Sequence, residues 1–119
     1  MTKVAPLKIL VVDDSAALRQ TVRQMWEGAH VVILEAASGE EAVARYAEEH
    51  PDWVVMDLRM PGMGGLRAIQ AIRKLDPQAR VIAMSQFKGP DCAAAAAQAG
   101  AMRFVDKEDL LLLPQIIQP

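Results

Sequence analysis

Ile9-Leu10-Val11-Val12-Asp13-Asp14 reads as a strand buried on both faces that ends in two acids. Trp53-Val54-Val55-Met56-Asp57 repeats the arrangement with one acid. Helices on both sides of a parallel sheet demand such unbroken apolar runs, and an open sheet of that kind places its site beyond the carboxyl ends of its strands. If the two strands lie side by side, all three carboxylates meet at one edge. At roughly 5 Å and an effective dielectric of about 20, each like-charge pair costs about 3 kcal/mol. The cluster therefore calls for a cation, a proton or a basic partner.

Outward from these runs, short apolar segments alternate with helical ones. Leu7 to Val12 is the first strand, and Ser15 to Gly28 follows as a helix with Leu18, Val22, Met25 and Trp26 near one face. Val31 to Ala36 is the second strand, followed by a helix opened by Ser38-Gly39-Glu40-Glu41 and stopped near His50-Pro51. Trp53 to Met56 is the third strand, and Leu66, Ile69, Ile72 and Leu75 mark an amphipathic helix before Asp76-Pro77. Val81 to Met84 is the fourth, and an alanine-rich helix from Pro90-Asp91 ends at Gly100. Phe104-Val105 is a short fifth strand, and Glu108 to Pro119 closes the chain. Strands joined through crossover helices imply an α/β sheet wrapped on both faces.

The chain has 119 residues, 52% of them hydrophobic, enough for one well-buried core and too few for two ordinary domains. Thirteen basic residues against 15 acids give a charge of -2 with no basic stripe, which argues against nucleic acid as a direct ligand. No signal-peptide core and no apolar run of roughly 18 residues is present, so a cytoplasmic chain without a membrane span is expected. Cys92 is the single cysteine and reads as a small apolar filler. His30, His50, Glu40-Glu41 and Glu48-Glu49 read as solvated turn and helix positions.

Paired acids after the first strand would repel a phosphate held there directly and suit a hard divalent cation instead. Asp57 opens a loop, Leu58-Arg59-Met60-Pro61-Gly62-Met63-Gly64-Gly65, rich enough in glycine and proline for a special backbone path. Ser85 closes the fourth strand with a hydroxyl, and Lys107 closes the fifth with a cation. Together Val11-Val12-Asp13-Asp14-Ser15, Met56-Asp57-Leu58-Arg59-Met60-Pro61 with Gly65, Met84-Ser85, Gly100-Ala101, Phe104 and Lys107 resemble the receiver domain of two-component response regulators over essentially the whole length.

That resemblance implies a flavodoxin-like doubly wound parallel sheet of five strands, order 2-1-3-4-5, with five helices, residues 1–119 forming one receiver domain. It implies that Asp57 takes a phosphoryl group from a phosphohistidine on a sensor histidine kinase or phosphotransfer protein. By the same likeness Asp14 is the more direct magnesium ligand, Asp13 acts through water, and the Arg59 carbonyl completes the protein's share. Lys107 and Ser85 take phosphoryl oxygens, and Phe104 swings inward to switch the face made by helix four, strand five and helix five. A phosphoacceptor that only assists its own phosphorylation and dephosphorylation is expected, rather than an enzyme. Its expected partners include a C-terminal output domain or separate effector, with a homodimer through the switch face as another possibility. An unphosphorylated pseudo-receiver is the alternative, and a carboxylate-phosphoenzyme hydrolase a more distant one.

The departures from the family pattern carry their own expectations. Ser85 stands for the commoner threonine, Phe104 for tyrosine, and Gly64 for an Asp or Asn, which predicts a looser loop. Glu108 replaces a proline that is usually cis, and the 2.5 to 4 kcal/mol (order of magnitude) cost of a non-proline cis bond predicts a trans Lys107–Glu108 bond. By the resemblance, Arg59 and Phe87, two residues after Asp57 and Ser85, occupy positions that line the water's approach to the phosphoryl group, so a long-lived phosphoryl state is expected. A helix starting at Pro114 has room for only about one turn, which suits a receiver cut from a longer regulator or a single-domain regulator with an apolar docking end.

Overall fold

Leu10 and Val12 point into one core and Ile9 and Val11 into another, so the first strand is buried on both faces. The computed structural model describes residues 4–86 and 90–118. Its elements run β1 (Leu7–Val12), α1 (Ala16–Met25), β2 (Val31–Ala36), α2 (Gly39–Glu49), β3 (Trp53–Asp57), α3 (Gly64–Leu75), β4 (Val81–Ser85), α4 (Pro90–Ala99) and β5 (Arg103–Asp106). A 3-10 segment (Lys107–Leu112) and a one-turn α5 (Leu113–Ile116) follow. The strands form one sheet in the order β2-β1-β3-β4-β5, every pair parallel. This is the flavodoxin-like arrangement that the family resemblance implied.

One face is covered by α2, α3 and α4, through Ala42, Tyr46, Ala68, Ile69, Ile72, Ala96 and Ala99. The other is covered by α1 and the C-terminal turn, through Val22, Trp26, Leu113 and Ile117. Ile9, Leu10, Val11 and Val12 have no exposed surface. Burying each such side chain contributes about 1.5 to 3 kcal/mol, so β1 alone outweighs the repulsion between the acids at its end.

Local signals set the helix ends. Ser15 caps α1 by accepting from Leu18 N, and Ser38 caps α2 by accepting from Glu41 N. Helix α1 stops at Met25, before the expected Gly28, which instead turns the chain at φ 81°. The α4 helix ends at Gly100, φ 116°, where the amide donates back to Ala96 and Ala97 carbonyls.

The end of the sheet departs from the expected layout. Asp106, rather than Lys107, closes β5, because Asp106 Oδ1 accepts the Glu108 N–H at 2.9 Å and turns the chain into the 3-10 segment. Among the described residues no peptide bond is cis, so Lys107–Glu108 is trans as the missing proline predicts. Pro114 lies in the first turn of α5, where its absent N–H costs little, and one turn follows.

Candidate functional site

The register brings the chemistry together. Val12 of β1 pairs with Met56 of β3, which sets Asp13 and Asp57 side by side. Asp57 pairs with Met84 and Ser85 with Asp106, so Ser85 and Lys107 arrive at the same edge from β4 and the end of β5. Asp13, Asp57 and Ser85 are buried, whereas Asp14 is exposed. One oxygen from each of Asp13, Asp14 and Asp57 lies within 4.8 Å of the others.

Each buried carboxylate is held from several directions. Ser15 N donates to Asp13 Oδ1 at 2.8 Å, and Arg59 N donates to Asp57 Oδ1 at 3.2 Å. Lys107 Nζ bridges the two acids, 2.9 Å from Asp13 Oδ2 and 3.4 Å from Asp57 Oδ1. Burial raises the pKa of Asp57 above the ordinary carboxylate range, against the lowering pull of the Arg59 amide and Lys107, and Asp13 adds to the rise. Partial burial opposes the Lys107 charge, yet the carboxylates of Asp13 and Asp57 raise its pKa above the usual lysine value. The donor set is entirely hard oxygen and doubly crowded with charge, which fits a divalent cation such as magnesium and gives no soft ligand for zinc or copper.

The loop after β3 ends in a close approach at Gly65. A Cβ on Gly65 would lie 2.1 Å from the Asp57 carbonyl oxygen, so only glycine lets α3 begin directly beneath the site. Gly64 adopts φ 78°, and Met63, the N-cap of α3, makes no side-chain capping bond to the helix. The work is done from α2: Glu40 Oε1 accepts the Met63 N–H at 2.9 Å. Gly39 makes this reach possible, since a Cβ there would lie 3.0 Å from the Gly64 carbonyl. Glu40 is thus more than a solvated helix acid, since it ties α2 to the loop after β3.

On the other side, Arg19 Nη1 donates to the Asp13 carbonyl at 2.6 Å while its Nε donates to Glu35 Oε1 at 2.9 Å. Arg23 Nε donates to Glu35 Oε2 at 3.2 Å. The hydrogen bond from Arg23 holds the Glu35 carboxyl below the usual range, aided by Arg19. Arg19 and Glu35 were not among the residues singled out by sequence, and Glu40 was read only as a solvated helix acid. Glu35 carried a readable signal, being a charge inside the apolar strand Val31-Val32-Ile33-Leu34-Glu35-Ala36.

Phe104 pairs with Ala83, is half-buried and packs against the α2–α4 core. Beside it lies a cavity of about 90 Å³ lined by Ala93, Ala96, Ala97, Ala101 and Met102. Arg59 is exposed, and Phe87 lies outside the described residues. His30 and His50 are exposed: His30 Nε2 contacts the Val4 carbonyl, and His50 ends α2 in the left-handed region at φ 46°. Among the described residues no helix is long and apolar enough to cross a membrane.

Residues 9–117 match the model of the response regulator receiver domain family. The chain is 39% identical over 101 residues to the chemotaxis protein CheY of Bacillus subtilis, covering 84% of each. It is also 36% identical to a protein-glutamate methylesterase/protein-glutamine glutaminase of Myxococcus xanthus, where it spans 99% of this chain but 35% of that one. Among solved structures, chemotaxis protein CheY4 of Vibrio cholerae superposes with a TM-score of 0.86 at 28% identity, covering 96% of this chain and 100% of that one. The CheY of a CheX–CheY–BeF3–Mg2+ complex from Borrelia burgdorferi matches with a TM-score of 0.80 at 28% identity, covering 95% and 91%.

Proposed function

Because the chain belongs to the response regulator receiver domain family, we propose that it is a phosphoacceptor of two-component signalling whose Asp57 takes a phosphoryl group from a phosphohistidine. The donor is a sensor histidine kinase or a phosphotransfer protein, and residues 1–119 act as one receiver domain. One observation carries the reading: Lys107 Nζ bridges buried Asp13 and Asp57 inside a cluster of three acids at the strand ends.

Phosphoryl transfer asks the protein for in-line positioning and charge neutralisation. An Asp57 oxygen forms the new P–O bond as the P–N bond of the phosphohistidine breaks, and the electron pair leaves with the imidazole. Lys107 is placed to move from its carboxylates to a phosphoryl oxygen, and the Ser85 hydroxyl to donate to another. Asp13, Asp14, Asp57 and the Arg59 carbonyl would hold magnesium, Asp14 more directly than Asp13. When bound, that cation would supply positive charge and a coordination position for a phosphoryl oxygen.

As Ser85 is drawn toward the phosphoryl group, Phe104 follows into the space it leaves. The alanine-lined cavity beside the ring supports this reading, since small side chains there offer little resistance to movement. The readout face is α4, β5 and the C-terminal segment, presented to an effector, an output domain or a second copy. Exposed Arg59 shields the phosphoryl group from water, and Arg59→Ala is expected to shorten its lifetime.

The deciding experiment is magnesium-dependent binding of beryllofluoride, followed by amide NMR, in wild type and Asp57→Asn. Shifts around Ser85 and Phe104 in wild type alone are expected. Equal responses from the two proteins would remove Asp57 from the acceptor role.

A further inference from the structure

We propose that Arg19 is a positioning residue for the cation site, fixing the Asp13–Asp14 turn through the Asp13 carbonyl while Glu35 holds the guanidinium in place. The inference rests on the reading of the acid cluster as a magnesium site. It concerns how this chain aims its ligands.

Asp13 is pinned at three points. Ser15 N holds Oδ1, Lys107 holds Oδ2, and Arg19 Nη1 holds the main-chain oxygen at 2.6 Å. The third bond is the only one of these that acts on the peptide linking Asp13 to Asp14. Asp14 itself is exposed, so packing does little to orient it, and the direction of its side chain follows from that peptide plane. Arginine suits the task because its planar fork serves two acceptors at once. Nη1 reaches the Asp13 carbonyl just past the end of β1 while Nε binds Glu35 of β2. The Arg19 side chain is 17% exposed, so both bonds form in a partly dehydrated setting where charge-assisted contacts count for more.

Arg23 provides an internal control. It sits one turn further along α1 and binds the same Glu35, together with the Ile33 carbonyl, but it makes no bond to Asp13. If the cluster merely fastened α1 to β2, both arginines would matter alike. Groups that orient metal ligands from behind commonly change metal affinity by about 10- to 100-fold when removed. Arg19 stands behind the Asp13–Asp14 peptide in that sense, and Arg23 does not.

The test is calorimetric titration of unphosphorylated protein with Mg2+ in wild type, Arg19→Ala, Arg19→Lys, Arg23→Ala and Glu35→Gln. The amide resonance of Asp14 is recorded without metal, and urea denaturation checks each fold. Arg19→Ala is expected to weaken Mg2+ by about 10-fold and to move the Asp14 amide. Arg19→Lys, which keeps one donor, is expected to recover part of the loss, and Arg23→Ala to change affinity by less than about 2-fold. Equal losses for Arg19→Ala and Arg23→Ala, or an unchanged constant for Arg19→Ala, would overturn the assignment. Should Arg19→Ala not fold, Glu35→Gln decides: weaker Mg2+ binding with a moved Asp14 amide supports the role, and unchanged binding rejects it. Absence of Mg2+ binding by wild type would instead defeat the reading of the acid cluster on which the assignment depends.

Discussion

Lys107 lies closer to Asp13 than to Asp57, its Nζ 2.9 Å from Asp13 Oδ2 and 3.4 Å from Asp57 Oδ1. The ammonium is thus the resident counter-charge of the proposed ligand acid as well as of the proposed acceptor. In the absence of magnesium, Lys107→Met leaves two buried carboxylates facing one another, a cost of about 2 to 3 kcal/mol. Urea denaturation is expected to show that loss without metal and a smaller one at saturating Mg2+. Identical losses in both conditions would mean that the lysine and the cation do not share a task.

Gly65→Ala tests the close packing under Asp57. The added methyl would sit 2.1 Å from the Asp57 carbonyl oxygen, so the backbone of β3 or α3 must move. A destabilisation of about 2 to 3 kcal/mol is expected, with a parallel loss of Mg2+ affinity because the Arg59 carbonyl shifts with the loop. Gly28→Ala, whose Cβ meets nothing within 4 Å but inherits φ 81°, separates backbone strain from the clash.

Glu40 substitutes from α2 for a cap that α3 lacks. Glu40→Ala leaves the Met63 N–H to water and is expected to cost about 0.5 to 1 kcal/mol, since the bond is exposed. Glu40→Gln keeps an acceptor oxygen and should retain more than half of that stability. Hydrogen exchange at Met63 is the direct measurement, faster in Glu40→Ala than in Glu40→Gln.

Glu35 gives a pH signature. Its carboxyl titrates below the usual range because Arg23, and then Arg19, bind the charged form. The native state therefore binds this proton less tightly than the unfolded state. Its contribution is complete above the ordinary glutamate value of about 4.3 and is lost as pH falls through the lower native value. Wild type should be more stable than Glu35→Gln near neutrality, with the gap closing on acidification. A gap that stays constant as pH falls would show that the carboxylate charge is irrelevant.

Glu108→Pro tests the turn that carries Lys107. It removes the N–H that Asp106 Oδ1 accepts at 2.9 Å. A loss of about 1 kcal/mol is expected, whereas Asp106→Asn, which preserves an acceptor, should be nearly neutral. Denaturation of both variants distinguishes this side-chain bond from a general intolerance of the turn.

The site was legible where local chemistry sufficed. Apolar runs ending in Asp13-Asp14 and Asp57 located the edge, strand ends brought in Ser85 and Lys107, and the family motifs added their roles, Phe104 and the strand order, which periodicity alone does not fix. The supporting bonds were hidden because they join distant positions. Arg19 and Glu35 are 16 residues apart, and Glu40 and Met63 are 23 apart, so no local spacing marks them. The end of β5 was misread by one residue because an aspartate before a lysine does not reveal whether it will accept the Glu108 amide. The apolar Leu110-Leu111-Leu112-Leu113 run likewise masks a 3-10 segment, since hydrophobicity does not distinguish the tighter turn from an α-helix.

The strand order also divides the molecule mechanically. Asp13 follows the end of β1 and Asp57 ends β3, two strands each flanked by a strand on both sides, while Phe104 belongs to β5 at one margin and leans on a helix of mostly single-methyl side chains. A strand clamped from both sides deforms little under load, whereas one held along a single edge is compliant. Under the proposed phosphorylation, a charge placed at Asp57 would therefore push from a strand held on both sides toward one held on one, and the displacement is expected to collect at β5.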